Sequence, residues 1–364
     1  MALLPSPTYA DAPRIVIWEM TRACALACRH CRAEAIPRRD PSELTTSEAF
    51  ALVDAVRECG KPVFVLTGGD PLMRDDIYKI VEYGTHQGLR VAVSPSATGR
   101  LTRRALEQLT RAGCRRVSLS IDAPSAEMHD DFRGVKGSFQ RTIDAARAAR
   151  ELGLELQINT TLSRFNTHTM RDMAALVETL DAALWSVFFL VPVGRAKLDQ
   201  VLDAQETEEA FREIYAIAQT APFDIKTTEA PHYRRYVAQR EASMPPRERP
   251  KRPAPPWMQY PAIGDGKGFV FVSHTGEICP SGFLPYVVGN VRTENLLEVY
   301  REDAIMRRMR APETFGGKCG VCEFRRICGG SRSRAYAMSG DPFAEEPSCA
   351  FVPSVLRESA ASFG

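Results

Sequence analysis

Ile15-Val16-Ile17-Trp18-Glu19-Met20-Thr21-Arg22-Ala23-Cys24-Ala25-Leu26-Ala27-Cys28-Arg29-His30-Cys31 is an apolar, β-branched run that empties into a loop with three cysteines. The run has the length and composition of a buried strand. The loop has the spacing C-x3-C-x2-C. A cubane iron–sulfur cluster has four irons, so three thiolates leave one iron open to a small molecule. Structural zinc would want a fourth ligand, for which His30 is the adjacent candidate. Its place directly beside Cys31 makes joint ligation of one ion sterically awkward.

Reading outward, the same texture repeats. Ile15–Met20, Val63–Thr67, Arg90–Ser94, Arg116–Ile121, Leu154–Thr160 and Leu184–Val191 read as strands. Amphipathic stretches lie between them. Thr45-Thr46-Ser47-Glu48 forms a capping box before a helix that places Phe50, Val53 and Val56 on one face and stops at Gly60. Helices from Thr102 (Leu106, Leu109, ending at Gly113), from Ser138 (Phe139, Ile143, Ala146, ending at Gly153) and near Thr169 (Met173, Leu176, Val177, Leu180) follow. Apolar strands separated by such helices predict a parallel sheet with helices outside. Six β/α units are too few to close an eight-stranded barrel, so the α/β fold is a partial (β/α)6 barrel. Chemistry in such sheets gathers at the carboxyl ends of the strands, where the cysteine loop lies.

Beyond Gly194 the pattern changes. A helix covers roughly 205–220, and a basic, proline-rich stretch runs from Arg234 to Trp257. That stretch suits contact with an acidic substrate, but its composition is better explained by a solvated connecting loop. Gly268–Ser273 and Glu277–Pro280 flank His274-Thr275-Gly276 as a hairpin, and a helix is expected near Asn295–Arg308. Cys319, Cys322 and Cys328 then give C-x2-C-x5-C, with Cys349 as a distant fourth. Four thiolates fill a cubane cluster, and by themselves they suit structural zinc equally. The domain layout is therefore 12–200 for the barrel, 201–260 for a helical and basic connector, and 261–364 for a cysteine-bearing domain.

Bulk properties narrow the function classes. A chain of 364 residues with net charge +2 and 25% charged residues has no bias towards nucleic acid. No apolar run approaches a membrane span, and the start lacks a secretory pattern, so a cytoplasmic location is expected. In that reducing compartment, ten cysteines with seven in two tight groups point to metal binding rather than disulfides. Cys59 and Cys114, beside glycines that end helices, read as buried small apolar residues.

The cysteine loop after strand one resembles the radical S-adenosylmethionine (SAM) superfamily, over about the first two hundred residues. The resemblance implies a 4Fe-4S cluster on Cys24, Cys28 and Cys31 whose open iron binds the amino and carboxylate groups of SAM. Reductive cleavage of SAM then yields a 5′-deoxyadenosyl radical. Thr67-Gly68-Gly69-Asp70-Pro71 resembles the family's glycine-rich motif, with Asp70 where Glu is commoner. Its backbone would bind the SAM amino group, which glycine permits by close approach. Ser96, Ser120 and Asp122 sit where the family holds ribose and the methionyl carboxylate. Asn159 and Val191 match positions that contact ribose and adenine, and Arg133 matches a partner for the SAM carboxylate.

The second cysteine group resembles the SPASM extension or its reduced form, the twitch domain. In a full SPASM string, Arg332 and Ser281 stand where cysteines for the first auxiliary cluster belong. The resemblance therefore implies one auxiliary 4Fe-4S cluster on Cys319, Cys322, Cys328 and Cys349. Cys279 lies near the lost site. A flavodoxin- or ferredoxin-type electron donor is implied, with no nucleic-acid or membrane partner.

For substrate, His30-Cys31-Arg32-Ala33-Glu34-Ala35 and Pro192-Val193-Gly194-Arg195 are similar to radical SAM proteins that modify heme-type tetrapyrroles. Propionates would suit arginines such as Arg195. Relatives that epimerise or crosslink ribosomally made peptides share these features. They often carry an N-terminal recognition domain, for which the residues before Ile15 are too few, so a small-molecule substrate is favoured. A non-catalytic electron carrier or redox sensor, and a zinc scaffold, are the readings of other classes. Neither gives the glycine-rich motif a purpose.

Overall fold

A computed structural model describes residues 9–245 and 262–361. One sheet of ten strands organises them, in the order β10-β9-β8-β1-β2-β3-β4-β5-β6-β7. The strands are β1 (Ile15–Glu19), β2 (Val63–Thr67), β3 (Arg90–Val93), β4 (Arg116–Ser120), β5 (Glu155–Leu162), β6 (Leu184–Phe189), β7 (Asp224–Thr228), β8 (Phe269–Val272), β9 (Glu277–Cys279) and β10 (Gly289–Asn290). From β1 to β7 every pairing is parallel. Helices α1 (Thr46–Glu58), α2 (Ile77–His86), α3 (Arg103–Arg111), α4 (Ala126–Arg133), α5 (Ser138–Glu151) and α6 (Met170–Thr179) fill the crossovers; α1, α3, α5 and α6 are those the sequence predicts, and α2 and α4 are additional.

Local chemistry sets these elements. Thr45 and Glu48 complete both halves of the capping box of α1, satisfying two otherwise orphan N–H groups. The face of α1 that enters the core is Ala49, Leu52, Val53 and Val56, while Phe50 leans on Tyr83 with ring centroids 4.7 Å apart. Trp18, Phe64 and Trp185 are wholly buried in a core that runs the length of the sheet. Arg74 is buried there too. It pairs with Asp76 at 2.6 Å and donates to the carbonyls of Met20 (3.3 Å) and Leu44 (2.8 Å), tying the end of β1 to the start of α1.

The structure departs from the sequence reading at both ends of the sheet. A seventh parallel strand, β7, follows α7 (Ala204–Thr220) and is itself followed by α8 (Tyr233–Ala242), all within the segment expected to be a connector. Asp-Ile-Lys-Thr-Thr buries only Ile225, as an edge strand does, so no apolar run announces it. Of the basic stretch 234–257, residues 246–257 lie outside the described residues. At the other edge the expected hairpin forms as β8 and β9, and β8 pairs in parallel with β1. The helix expected near 295–308 is two helices, Leu296–Glu302 and Ala304–Met309. Asp303 breaks it by accepting the N–H groups of Ile305 and Met306. Among the described residues no helix is long and apolar enough to cross a membrane.

Candidate functional site

The loop after β1 is held from several sides. Cys24 N–H donates to Ile36 O at 2.9 Å, and Arg29 N–H to Phe132 O at 3.0 Å. The guanidinium of Arg22 clips the loop's far end through Ala33 O at 2.6 Å. Glu19, at the end of β1, pairs with Arg32 at 2.7 Å, and Arg32 also donates to Gly282 O at 3.0 Å. The segment after β9 is thereby fastened to the cysteine loop.

Cys24 and Cys28 are buried and Cys31 half-buried, in a small cluster with Leu26, Ala35 and Val135. Each sulfur is offered an N–H: Leu26 N at 3.3 Å from Cys24 Sγ, Ala35 N at 3.4 Å from Cys31 Sγ, and Arg133 Nη1 at 3.8 Å from Cys28 Sγ. Burial pushes the free thiols of Cys24 and Cys28 up, so without a metal they keep their protons. Donors aimed at sulfur suit thiolates, and an iron cluster is what would keep them deprotonated here. Among the described residues no three His, Cys, Asp or Glu side chains converge as ligands of a single ion. A cubane binds each thiolate to a different iron and does not require that convergence. His30 is turned inward, stacked on Phe132 with centroids 4.2 Å apart and with Nε2 3.8 Å from Asp122.

Gly68 and Gly69 sit against the start of this loop. A Cβ on Gly69 would lie 2.5 Å from Ala23 O and 2.6 Å from Arg22 O, and one on Gly68 would lie 2.4 Å from Thr21 O. The N–H groups of Gly69 and Asp70 donate to Thr21 O and Ala23 O, both at 2.7 Å. The close approach that needs glycine is thus between the motif and the cysteine loop. Gly69→Ala is expected to force the two backbones apart and destabilise the protein by about 1–3 kcal/mol. A drop in both melting temperature and bound iron would report it. Gly99→Ala, where a Cβ meets nothing within 4 Å, serves as the control.

Asp70 has no exposed surface. Its carboxylate accepts from Thr98 Oγ1 at 2.6 Å, Leu72 N at 3.1 Å and Ser96 N at 3.4 Å, and burial pushes its pKa up. That carboxylate braces the loop after β3, and Pro71 opens the short turn that follows. Ser96 donates to Gly69 O at 2.6 Å.

Ser96 and Ser120 meet Leu26, His129 and Arg133 around one cavity beside Cys28. Asp122 stands behind it, fully enclosed, accepting from Arg133 Nε at 2.6 Å and Thr161 N at 2.8 Å. Burial alone would raise the Asp122 pKa, but the Arg133 guanidinium holds it below the usual carboxylate range. Asn159 accepts from Gln157 at 2.7 Å and Val191 is buried at the end of β6; neither lines the cavity. His129 is a lining residue that the sequence reading did not select. Its Nδ1 accepts from Asp122 N at 3.2 Å, so the neutral ring carries its proton on Nε2, which has no partner. Burial first, and Arg133 second, push its pKa down to about 4. Its spacing from Arg133, one helical turn on α4, was the available signal.

The second cysteine group closes around its own cavity. Cys319, Cys322, Cys328 and Cys349 all line it, with His232 and Arg235 of the α8 region. Backbone N–H groups of Glu346 (3.2 Å), Phe324 (3.4 Å) and Gly330 (3.4 Å) point at the sulfurs of Cys319, Cys322 and Cys328. Burial pushes the thiols of Cys322, Cys328 and Cys349 up, so the same argument for a metal-held thiolate applies. Arg332 is buried, donating to Ala344 O at 2.6 Å and to Cys319 Sγ at 3.7 Å. Ser281 lies 3.4 Å from Ser333. Cys279 is buried on β9, where burial pushes its thiol up to about 12, and Cys59 and Cys114 are buried in the main core.

A family model described as the Radical SAM superfamily matches residues 18–180. An AdoMet-dependent heme synthase of Oleidesulfovibrio alaskensis is 44% identical over 94% of this chain and 89% of its own length; AdoMet is SAM. Another, of Methanosarcina barkeri, is 38% identical over 94% of this chain and 98% of its own. Among solved structures, Streptococcus suis SuiB bound to S-adenosylmethionine aligns with a TM-score of 0.73 at 16% identity. That alignment covers 94% of this chain and 78% of that one, a likeness of fold.

Proposed function

The chain belongs to the radical SAM superfamily, and we propose that it oxidatively decarboxylates propionate side chains of an iron tetrapyrrole to vinyl groups. The observation that carries this reading is similarity along nearly the whole chain to enzymes named heme synthases. It is an enzyme that binds a 4Fe-4S cluster and SAM. In our reading Cys24, Cys28 and Cys31 hold that cluster. Bound there, it supplies the electron that cleaves SAM to methionine and the 5′-deoxyadenosyl radical.

The remaining roles fall to the chain's own groups. Arg133, Ser96, Ser120 and the Gly68–Gly69 backbone hold and orient SAM, with Asp70 and Asp122 bracing them from behind. Asn159 and Val191 border the adenosyl group. Abstraction of a hydrogen from the propionate leaves a carbon radical and 5′-deoxyadenosine. Loss of carbon dioxide then forms the vinyl group and releases one electron. An acceptor is needed, and Cys319, Cys322, Cys328 and Cys349 can hold one in a second 4Fe-4S cluster. In this reading 12–200 is the catalytic barrel, 201–260 adds β7 and α8 to it, and 261–364 carries the auxiliary cluster. A flavodoxin- or ferredoxin-type protein delivers the first electron in the cytoplasm.

The test uses anaerobically reconstituted protein with SAM, dithionite and iron-coproporphyrin III. The expected products are 5′-deoxyadenosine and porphyrins lighter by carbon dioxide and two hydrogens for each propionate converted. Deoxyadenosine with an unchanged porphyrin would overturn the tetrapyrrole reading while leaving SAM cleavage intact.

A further inference from the structure

Among the described residues four arginines packed into the fold pair with carboxylates and a fifth, Arg332, donates to the carbonyls of Pro342 and Ala344; the Arg195 side chain has neither kind of partner. Arg74 pairs with Asp76, Arg133 with Asp122, Arg235 with Glu208 and Arg334 with Glu346. Arg195 makes no ion pair among the described residues, and its Nε and Nη2 are buried without a hydrogen-bond partner. Two guanidinium nitrogens taken out of water with no acceptor are costly, and a ligand's acceptor is one way to complete them.

The placement is deliberate in its backbone. Gly194, at φ +60°, lets the loop after β6 press on the cysteine loop: a Cβ there would lie 2.5 Å from the carbonyl oxygens of both Cys31 and Arg32. Arg195 N–H then donates to Cys31 O at 3.1 Å. Arg195 is therefore fixed at the carboxyl end of β6, on the Cys31 side of the loop, whereas Arg133 stands on the Cys28 side. The nearby Asp122 is already engaged by Arg133 and the Thr161 amide. Arg195 takes no part in the cavity lined by Ser96, Ser120, His129 and Arg133. His30 is the other polar group beside it, with an unpartnered Nδ1.

We infer that Arg195 is the anchor for a carboxylate of the substrate, bound through its guanidinium fork on the Cys31 side of the cluster loop. The inference rests on the tetrapyrrole reading and deepens it: the fork matches a carboxylate bidentately and positions the propionate-bearing ring against the adenosyl carbon. The same chemistry could take the methionyl carboxylate of SAM, and the test separates the two.

Binding of iron-coproporphyrin III, of its tetramethyl ester and of SAM is measured on reconstituted wild type, Arg195→Ala and Arg195→Lys. The expected result is tetra-acid binding weakened about ten- to hundredfold in Arg195→Ala, with less loss in Arg195→Lys. Ester binding, SAM binding and iron content should stay unchanged. Loss of SAM binding alone would assign Arg195 to the methionyl carboxylate and overturn the inference, as would tetra-acid binding unaffected by either substitution. A wild type that binds neither porphyrin overturns the tetrapyrrole reading and this inference together. Should Arg195→Ala fail to fold, Arg195→Lys, which keeps the charge without the fork, still decides the point.

Discussion

Replacing Cys24, Cys28 and Cys31 together with alanine is expected to abolish 5′-deoxyadenosine formation and remove about half the iron. Wild type should hold about eight irons per chain after anaerobic reconstitution, and the variant about four. The reason is stoichiometric: three thiolates can hold a cubane and leave one iron for SAM, and these three cysteines pack together in the loop after β1. The complementary variant, with Cys319, Cys322, Cys328 and Cys349 changed to alanine, should lose the other half and still cleave SAM. Iron and sulfide analysis beside nucleoside chromatography reads both. Deoxyadenosine persisting in the first variant, or zinc in place of iron in wild type, would sink the assignment.

The second large effect is expected at Arg133. Its guanidinium is the cation for Asp122, which has no exposed surface, and it also offers an N–H to Cys28. Arg133→Ala leaves a buried carboxylate with the Thr161 amide and no counter-charge, a loss of about 3–5 kcal/mol. Asp122→Asn removes the stranded charge, so the double variant should recover much of that stability. It should not recover SAM binding, because Arg133 lines the cavity and Asp122 does not. Chemical denaturation and equilibrium dialysis with SAM measure the two effects separately. A double variant that regains SAM binding would show that Arg133 only neutralises Asp122.

Much of the site was legible because its signals are local. The cysteine spacings are distances along the chain, and so are the capping box of α1 and the glycine pair after β2. Alternation of apolar runs with amphipathic helices is likewise a property of short windows, which is why β1 to β6 were found close to their observed bounds. β7 was not found, since an edge strand buries one side chain in five and has no apolar run to read.

What the sequence by itself determined was the chemistry: seven cysteines in two groups, the parallel α/β frame and the strand end on which the first group lies. Only the tertiary structure decided how the polar residues divide their labour. Asp70 and Asp122 look like ligand contacts in the chain and are braces in the fold, because each is buried against donors brought from other strands. Gly69 is required by a neighbour across the sheet at 2.5 Å, a distance that no spacing encodes. Arg195 was a candidate in the chain; the fold adds that its Nε and Nη2 are buried without a partner, whereas Arg74, Arg133, Arg235 and Arg334 each meet a carboxylate. Partnership between charges depends on burial and approach in space, and both are settled only when the strands are side by side.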